Sequence, residues 1–340
     1  MKLLIRADAG GITGTGHVMR MIALAQGYIR RGGSVSMASV SCPEKLVERL
    51  RSHGITHHTI KAAQPGDSDD AQLTTELAKE LGVQWLVVDG YHFDYAYQRH
   101  VKSSGLSLLC VDDHGYSDRW CCDAILNQNL DADLRVSYKN DLPDAKVLAG
   151  ASFCLLREEF LSSQTTKRTW GRIESLLVTL GGSDSKNATE ATLQLLNQSC
   201  KRPLKVRVLA GVDNPHIERL RSFESQHQIE VVQNATNMPV QYAWADGIIS
   251  AGGSTCWEWL HLRLPGAIVT IADNQLPIVR ALTEVRNIAV SLGCFRGFNN
   301  DIKGRLLLRW LESPGSTVDR AEAESVVDAL GAFRVINNII

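Results

Sequence analysis

At 340 residues, with 36 Lys and Arg against 37 Asp and Glu and 44% hydrophobic residues, the chain is long enough for two ordinary cores. It carries no charge surplus that would draw it to nucleic acid or anionic lipid. The eight cysteines lie scattered through apolar runs without a C-x-x-C pair, so they read as reduced thiols and not as a zinc or disulfide framework. MKLLIRADAG reaches an Arg and an Asp within eight residues, too soon for a signal peptide, and no apolar run approaches the ~20 residues of a membrane span. A cytoplasmic protein without stable membrane association is expected.

Short apolar runs alternate with helical patterns from the first residue, which predicts βα units and mostly parallel sheets. Residues 2–7 read as a strand, 8–15 as a glycine-rich turn, and the run from Gly16 to the Gly32-Gly33 stop as a helix. A strand at 34–40, a helix near 43–53, a strand near 55–60 and a helix near 69–82 follow. WLVVDG (85–90), SLLCVDD (107–113) and DAILNQN (123–129) are buried strands with polar carboxyl ends. The text turns polar and aperiodic at about 157–172, which predicts a linker between a domain at 1–160 and another at 170–340. Strands of the second half are expected at 173–181, 204–211, 229–233, 247–252, 266–272 and 288–293, with helices between them and two more near 299–312 and 318–330. The predicted class is α/β: two doubly wound, Rossmann-like domains facing across a cleft, with ligands at the carboxyl ends of both sheets.

Three stretches carry candidate chemistry. The first is the turn GGITGTGH at 10–17, where Gly14 and Gly16 admit close backbone approach and the following helix start offers free N–H groups to an anion. It lacks the Lys and Ser/Thr of a Walker loop and misses the dinucleotide fingerprint; read alone, it is equally a tight turn. His17 stands in the first helical turn, where the dipole disfavours imidazolium, so it is either a packing residue or a neutral base. The second stretch, TLGGSDSKN, places Gly181 and Gly182 before a helix start with Ser183 or Asp184 as its cap. In the third, a strand ends at Ser250 and Gly253, Ser254 and Thr255 open a helix. Glu258 lies within reach of both hydroxyls of a ribose, and Asn274 and Gln275 follow the next strand. Acids and amides at other strand ends complete the set: Asp89 with Tyr91, Asp112 with Asp113 and His114, and Asn127 with Asn129. Adjacent strand residues point to opposite faces, so the DDH run is not expected to converge on one metal ion. His57 and His58 meet the same objection.

RADAGGITGTGHVMR, VVDGYH, CVDDH, LLREEF, LGGSDSKN, AGGST with WE, and DNQ together resemble the UDP-sugar hydrolases of the pseudaminic acid pathway, which act on UDP-2,4-diacetamido-2,4,6-trideoxy-β-L-altropyranose. The resemblance spans nearly the whole chain and implies a GT-B fold whose second half is similar to that of the UDP-N-acetylglucosamine transferase of peptidoglycan synthesis. It implies that His17 is catalytic, that Tyr91 and Asn274 lie near the substrate and that Glu258 binds ribose. Arg20, Asp89, Asn127 and Arg157 join the expected substrate contacts. No metal or cofactor is implied, and a monomer with a UDP-sugar as its small-molecule partner is expected. Thr13 in place of the usual Ile, and Ala9-Gly10-Gly11 in place of Ser-rich text, depart from the family pattern. Spore-coat and surface-polysaccharide proteins share these motifs. A glycosyltransferase using the same donor, or a nucleotide-sugar binding module without catalysis, stays open on the residues alone.

Overall fold

The computed structural model describes all residues except 11–13, 131, 133–137, 139–141, 143, 162, 164–167, 213, 299–300 and 340. Thr13, the middle of the first glycine-rich turn and part of the expected linker therefore lie outside the described residues.

The chain forms two compact units, Met1–Leu161 with Ala329–Ile340, and Ser162–Asp328. In the first unit seven parallel strands lie in the order β3-β2-β1-β4-β5-β6-β7. These are Lys2–Ala7 (β1), Ser34–Ser39 (β2), Thr56–Thr59 (β3), Trp85–Asp89 (β4), Ser107–Val111 (β5), Ala124–Asn127 (β6) and Lys146–Ala149 (β7). Helices Gly16–Arg30 (α1), Glu44–Ser52 (α2), Ser68–Leu81 (α3) and Tyr95–Ser103 (α4) provide the crossovers. The two-residue period of β1 splits the core into two layers. Leu3, Ile5 and Ala7 pack with Val18, Met21, Ile22 and Ala25 of α1. Leu4 packs on the other face with Ala71, Ala78, Phe93 and Tyr97.

Arg6 shares the face of Leu4 and is fully buried, so its charge needs partners. Asp70 grips it through two bonds of 2.8 and 2.9 Å, and Asp8 accepts a third at 2.7 Å. Asp8 also accepts the backbone N–H groups of Val40 and Ser41, which ties the end of β1 to the end of β2.

The second unit has six parallel strands in the order β10-β9-β8-β11-β12-β13. They are Ser175–Thr179 (β8), Lys205–Ala210 (β9), Gln228–Gln233 (β10), Gly247–Ala251 (β11), Gly266–Thr270 (β12) and Val290–Cys294 (β13). In both units the first strand is flanked by the second and the fourth, which is the doubly wound arrangement with a switch point beside the first strand.

The expected boundary at 170–340 needs one correction. Residues 329–340 belong with the first unit, where helix Gly331–Ile339 covers α1 with Ala332, Val335, Ile336 and Ile339. Gly27 of α1 makes room for it: a Cβ there would lie 2.9 Å from Ile336 Cδ1 and 3.2 Å from Ala332 Cβ. The helix expected over 318–330 is accordingly shorter, Arg320–Ser325. Strand β7 and helix α4 were not among the expected elements.

Candidate active site

Strand register brings the first group of site residues together. β1 pairs with β4 so that Ala7 lies opposite Asp89, and β4 pairs with β5 so that Asp89 lies opposite Val111. The turn after β1, the end of β4 and the residues just past β5 therefore share one edge, at the switch point of the sheet.

His17, Arg20, Asp89 and Tyr91 meet there. The Asp89 carboxylate, fully buried, lies 2.7 Å from His17 Nδ1 and accepts two bonds of 2.6 Å from Arg20 Nε and Nη2. A carboxylate held ionised can only accept, so His17 Nδ1 carries the proton and Nε2 holds the lone pair. The 3.2 Å approach of Arg20 Nη2 to His17 Nδ1 is then a contact between two donors. Among the described residues Nε2 has no partner.

Arg20 reaches a second carboxylate through Nη1, 2.7 Å from Asp113 Oδ1. Asp113 Oδ2 accepts the Tyr91 hydroxyl at 2.8 Å. Asn129 Nδ2 donates to the Asp113 carbonyl at 2.8 Å. The Tyr91 ring stands edge-on to His17 and to His114, with centroids 5.1 and 4.9 Å away.

Burial alone would raise both carboxyls. Arg20 and the bonds it makes outweigh that and hold Asp89 and Asp113 below the usual carboxylate range. Burial and the neighbouring Asp113 push the Tyr91 phenol up, so it stays protonated.

Asp112 does other work. It accepts backbone N–H bonds from His114, Gly115 and Tyr116 and the hydroxyl of Tyr138, which folds the turn after β5. Neighbouring acids thus turn to different tasks, as the strand period required.

Asn127 is also engaged within the fold: Nδ2 donates to the Tyr138 hydroxyl at 2.8 Å and Oδ1 accepts from the Asn129 N–H at 3.1 Å. Arg157 pairs with Glu159 at 2.7 Å and lies over Phe160. His57 and His58 bond to Ser39 and Ser36 across β2 and β3. Gly14 has φ +68° and exchanges a bridge with Gly10, while Gly16 begins α1 with open space where a Cβ would stand. Asp113 and Asn129, named in the sequence only as polar residues at strand ends, are the residues that the expected substrate contacts lacked.

The second unit builds its candidate site differently. Gly181 has φ +95° and is exposed with Gly182 and Ser183. A Cβ on Gly211, past β9, would meet the Gly182 carbonyl oxygen at 2.1 Å, so two glycine turns lie in direct contact. The N-cap of helix Ala188–Ser199 is Asn187, not Ser183 or Asp184, but Asp184 reaches in from before it to accept the N–H groups of Ala188 and Thr189 at 2.8 and 2.9 Å.

Past β11, Gly253, Ser254 and Thr255 lead into helix Thr255–His261. Glu258 lies in its first turn, half-buried, and accepts the Tyr242 hydroxyl at 2.7 Å. Asn274 is exposed in the turn after β12. Gln275 folds back, its Oε1 accepting the Ile271 N–H at 3.1 Å. Ser250 aligns with Thr179 across β11 and β8, so the glycine turns flank the switch point of this sheet too. Among the described residues no three His, Cys, Asp or Glu side chains are grouped to hold a metal ion.

The glycosyltransferase family 28 C-terminal domain matches residues 175–283. The UDP-2,4-diacetamido-2,4,6-trideoxy-beta-L-altropyranose hydrolase of Campylobacter jejuni is 26% identical over 278 residues, covering 81% of this chain and 93% of that protein. The spore coat polysaccharide biosynthesis protein SpsG of Bacillus subtilis is 22% identical over 298 residues, 86% of this chain and 84% of that one. The crystal structure of MurG from Acinetobacter baumannii superposes with a TM-score of 0.68 at 17% identity, over 99% of this chain and 98% of that one. The chain has a GT-B fold, is similar along most of its length to the Campylobacter hydrolase, and matches the glycosyltransferase family 28 C-terminal domain within its second unit.

Proposed function

We propose that the protein hydrolyses UDP-2,4-diacetamido-2,4,6-trideoxy-β-L-altropyranose to UDP and the free sugar, acting in the cytoplasm as a monomer without a cofactor. The first unit supplies the base and the sugar contacts; the second holds UDP. The observation that carries the reading is the His17–Asp89 bond at 2.7 Å, which fixes the proton on Nδ1 and leaves Nε2 to accept one.

In this reaction a water oxygen bonds to C1 of the sugar as the C1–O bond to the diphosphate breaks. The electron pair leaves with UDP and the water proton passes to His17 Nε2. The leaving diphosphate is already a stable anion, so it needs backbone donors more than a strong acid. The exposed turn at Gly181–Ser183 and the half-buried turn at Gly253–Thr255 suit that task. Glu258 takes the ribose hydroxyls, with Asn274 nearby. One displacement inverts the anomeric centre.

The test incubates the purified protein with a panel of UDP-sugars and follows UDP and the anomeric proton by NMR. UDP with an inverted free sugar is expected; retention at C1, or no UDP release from any donor, removes the reading. The family 28 match favours a second reading, transfer to an acceptor hydroxyl. UDP release that requires an added acceptor would select it.

A further inference from the structure

The groups facing the His17 imidazole come from three elements. Arg20 lies on α1, Asp89 and Tyr91 stand at and after the end of β4, and Asp113 and His114 follow β5. Asp89 and Asp113 each carry a negative charge and Arg20 a positive one, so beside a neutral His17 the cluster holds one surplus negative charge. Arg20 is closer to His17 than Asp113 is, and it grips Asp89 through two bonds. Left to itself, that guanidinium would cancel Asp89 and repel a proton arriving on the ring.

We propose that Asp113 is a positioning residue for His17, acting through Arg20. By holding Arg20 Nη1 and the Tyr91 hydroxyl it balances the guanidinium charge and leaves Asp89 free to balance the proton that His17 accepts. The cluster closes to zero net charge in the step where His17 becomes imidazolium. Asn129 fixes the carboxylate from behind, through its bonds to the Asp113 carbonyl and Oδ1 at 2.8 and 3.3 Å. The use made of this arrangement rests on His17 being the proton acceptor of the proposed reaction.

The experiment titrates the whole protein, labelled with 13C at histidine Cε1, and follows the His17 signal, assigned through His17→Gln. Asp113→Asn keeps the shape and removes the charge, and it is expected to lower the His17 midpoint by about 1 pH unit. Arg20→Gln is expected to raise it. Tyr91→Phe, which changes no charge, is expected to leave it within a few tenths of a unit.

A midpoint unmoved or raised in Asp113→Asn overturns the proposal, as does a shift of equal size in Tyr91→Phe. Should Asp113→Asn fail to fold, a midpoint that falls or stays in Arg20→Gln overturns it alone. The signal needs no turnover, so a protein that releases no UDP from any sugar would count against the proposed reaction and leave this charge balance standing.

Discussion

The two switch points sit at the same place in the same strand order, yet they are made of different material. In the first unit the edge is dense with side-chain ions: Arg20 between Asp89 and Asp113, His17 on Asp89, Tyr91 on Asp113. In the second it is mostly backbone, with an exposed glycine turn at Gly181–Ser183, a half-buried one at Gly253–Thr255, a helix cap and one half-buried acid. A buried ion cluster fixes side chains in one geometry at a cost in desolvation. Bare turns keep N–H groups open for an anion at little cost until the ligand arrives. The proposed reaction asks the first edge to handle the proton and the second to hold the diphosphate.

The largest effect that can break this division is expected from His17→Leu. Turnover should fall roughly 10²–10⁴-fold, the usual worth of a general base, with UDP affinity nearly intact. A comparable loss of UDP affinity, read by calorimetry, would move His17 to the nucleotide and end the division.

Next comes Arg20→Ala, which strands the buried Asp89 carboxylate and the part-buried Asp113. Breaking a buried pair costs on the order of 3–5 kcal/mol, and chemical denaturation should show the loss with the first unit opening first. A change below ~1 kcal/mol would mean that the cluster is solvated.

Glu258→Ala should remove most of the rise in melting temperature that UDP produces, because that rise is mass action on the folded state. An undiminished rise takes Glu258 out of the nucleotide contacts.

The gentlest probe is acid. In the first unit burial raises Asp8 from the ordinary 3.8, but the His92 bond, Arg6 and the Ser41 N–H bring it down to about 2; Asp89 and Asp113 are lowered as well. Depressed acids contribute stability that is complete above the ordinary aspartate value and is lost as pH falls through the folded value. In the second unit burial lowers His227, which accepts the Leu204 N–H through Nδ1 at 3.3 Å. Its contribution is lost earlier, as pH drops below the ordinary histidine value of 6.5. Burial lowers His53 and His57 of the first unit in the same way, so hydrogen-exchange opening energies should weaken by little in both units below pH 6.5, then steeply in the first unit between pH 4 and 2. A steep loss between pH 4 and 2 in the second unit, with none in the first, would contradict the contrast in composition.

Much of this contrast was legible in the sequence, because strands that end in VVDG, CVDD, LGGS and SAGG announce which edge is polar and which is glycine-rich. The roles of Asp113 and Asn129 were not. In a run of two aspartates nothing local says which one turns to cap its own loop and which reaches an arginine 93 residues away. Asn127 looked as open as Asn129 until Tyr138 was seen to occupy its amide. Strand β7, four residues with only Leu148 buried, is too short for its period to show. The last helix had legible spacing at Ala332, Val335, Ile336 and Ile339, but a helical stripe does not name the surface it covers.

That last helix sets an order on synthesis. The ribosome finishes Met1–Leu161 early, yet the α1 face around Gly27 stays bare until Gly331–Ile339 has been made, after the whole of the second unit. The first unit is thus the earlier one to be translated and the later one to be completed. While the chain is still growing, its α1 face presents Ala23 and Gly27 as an apolar strip that a chaperone can hold and the closing helix must reclaim.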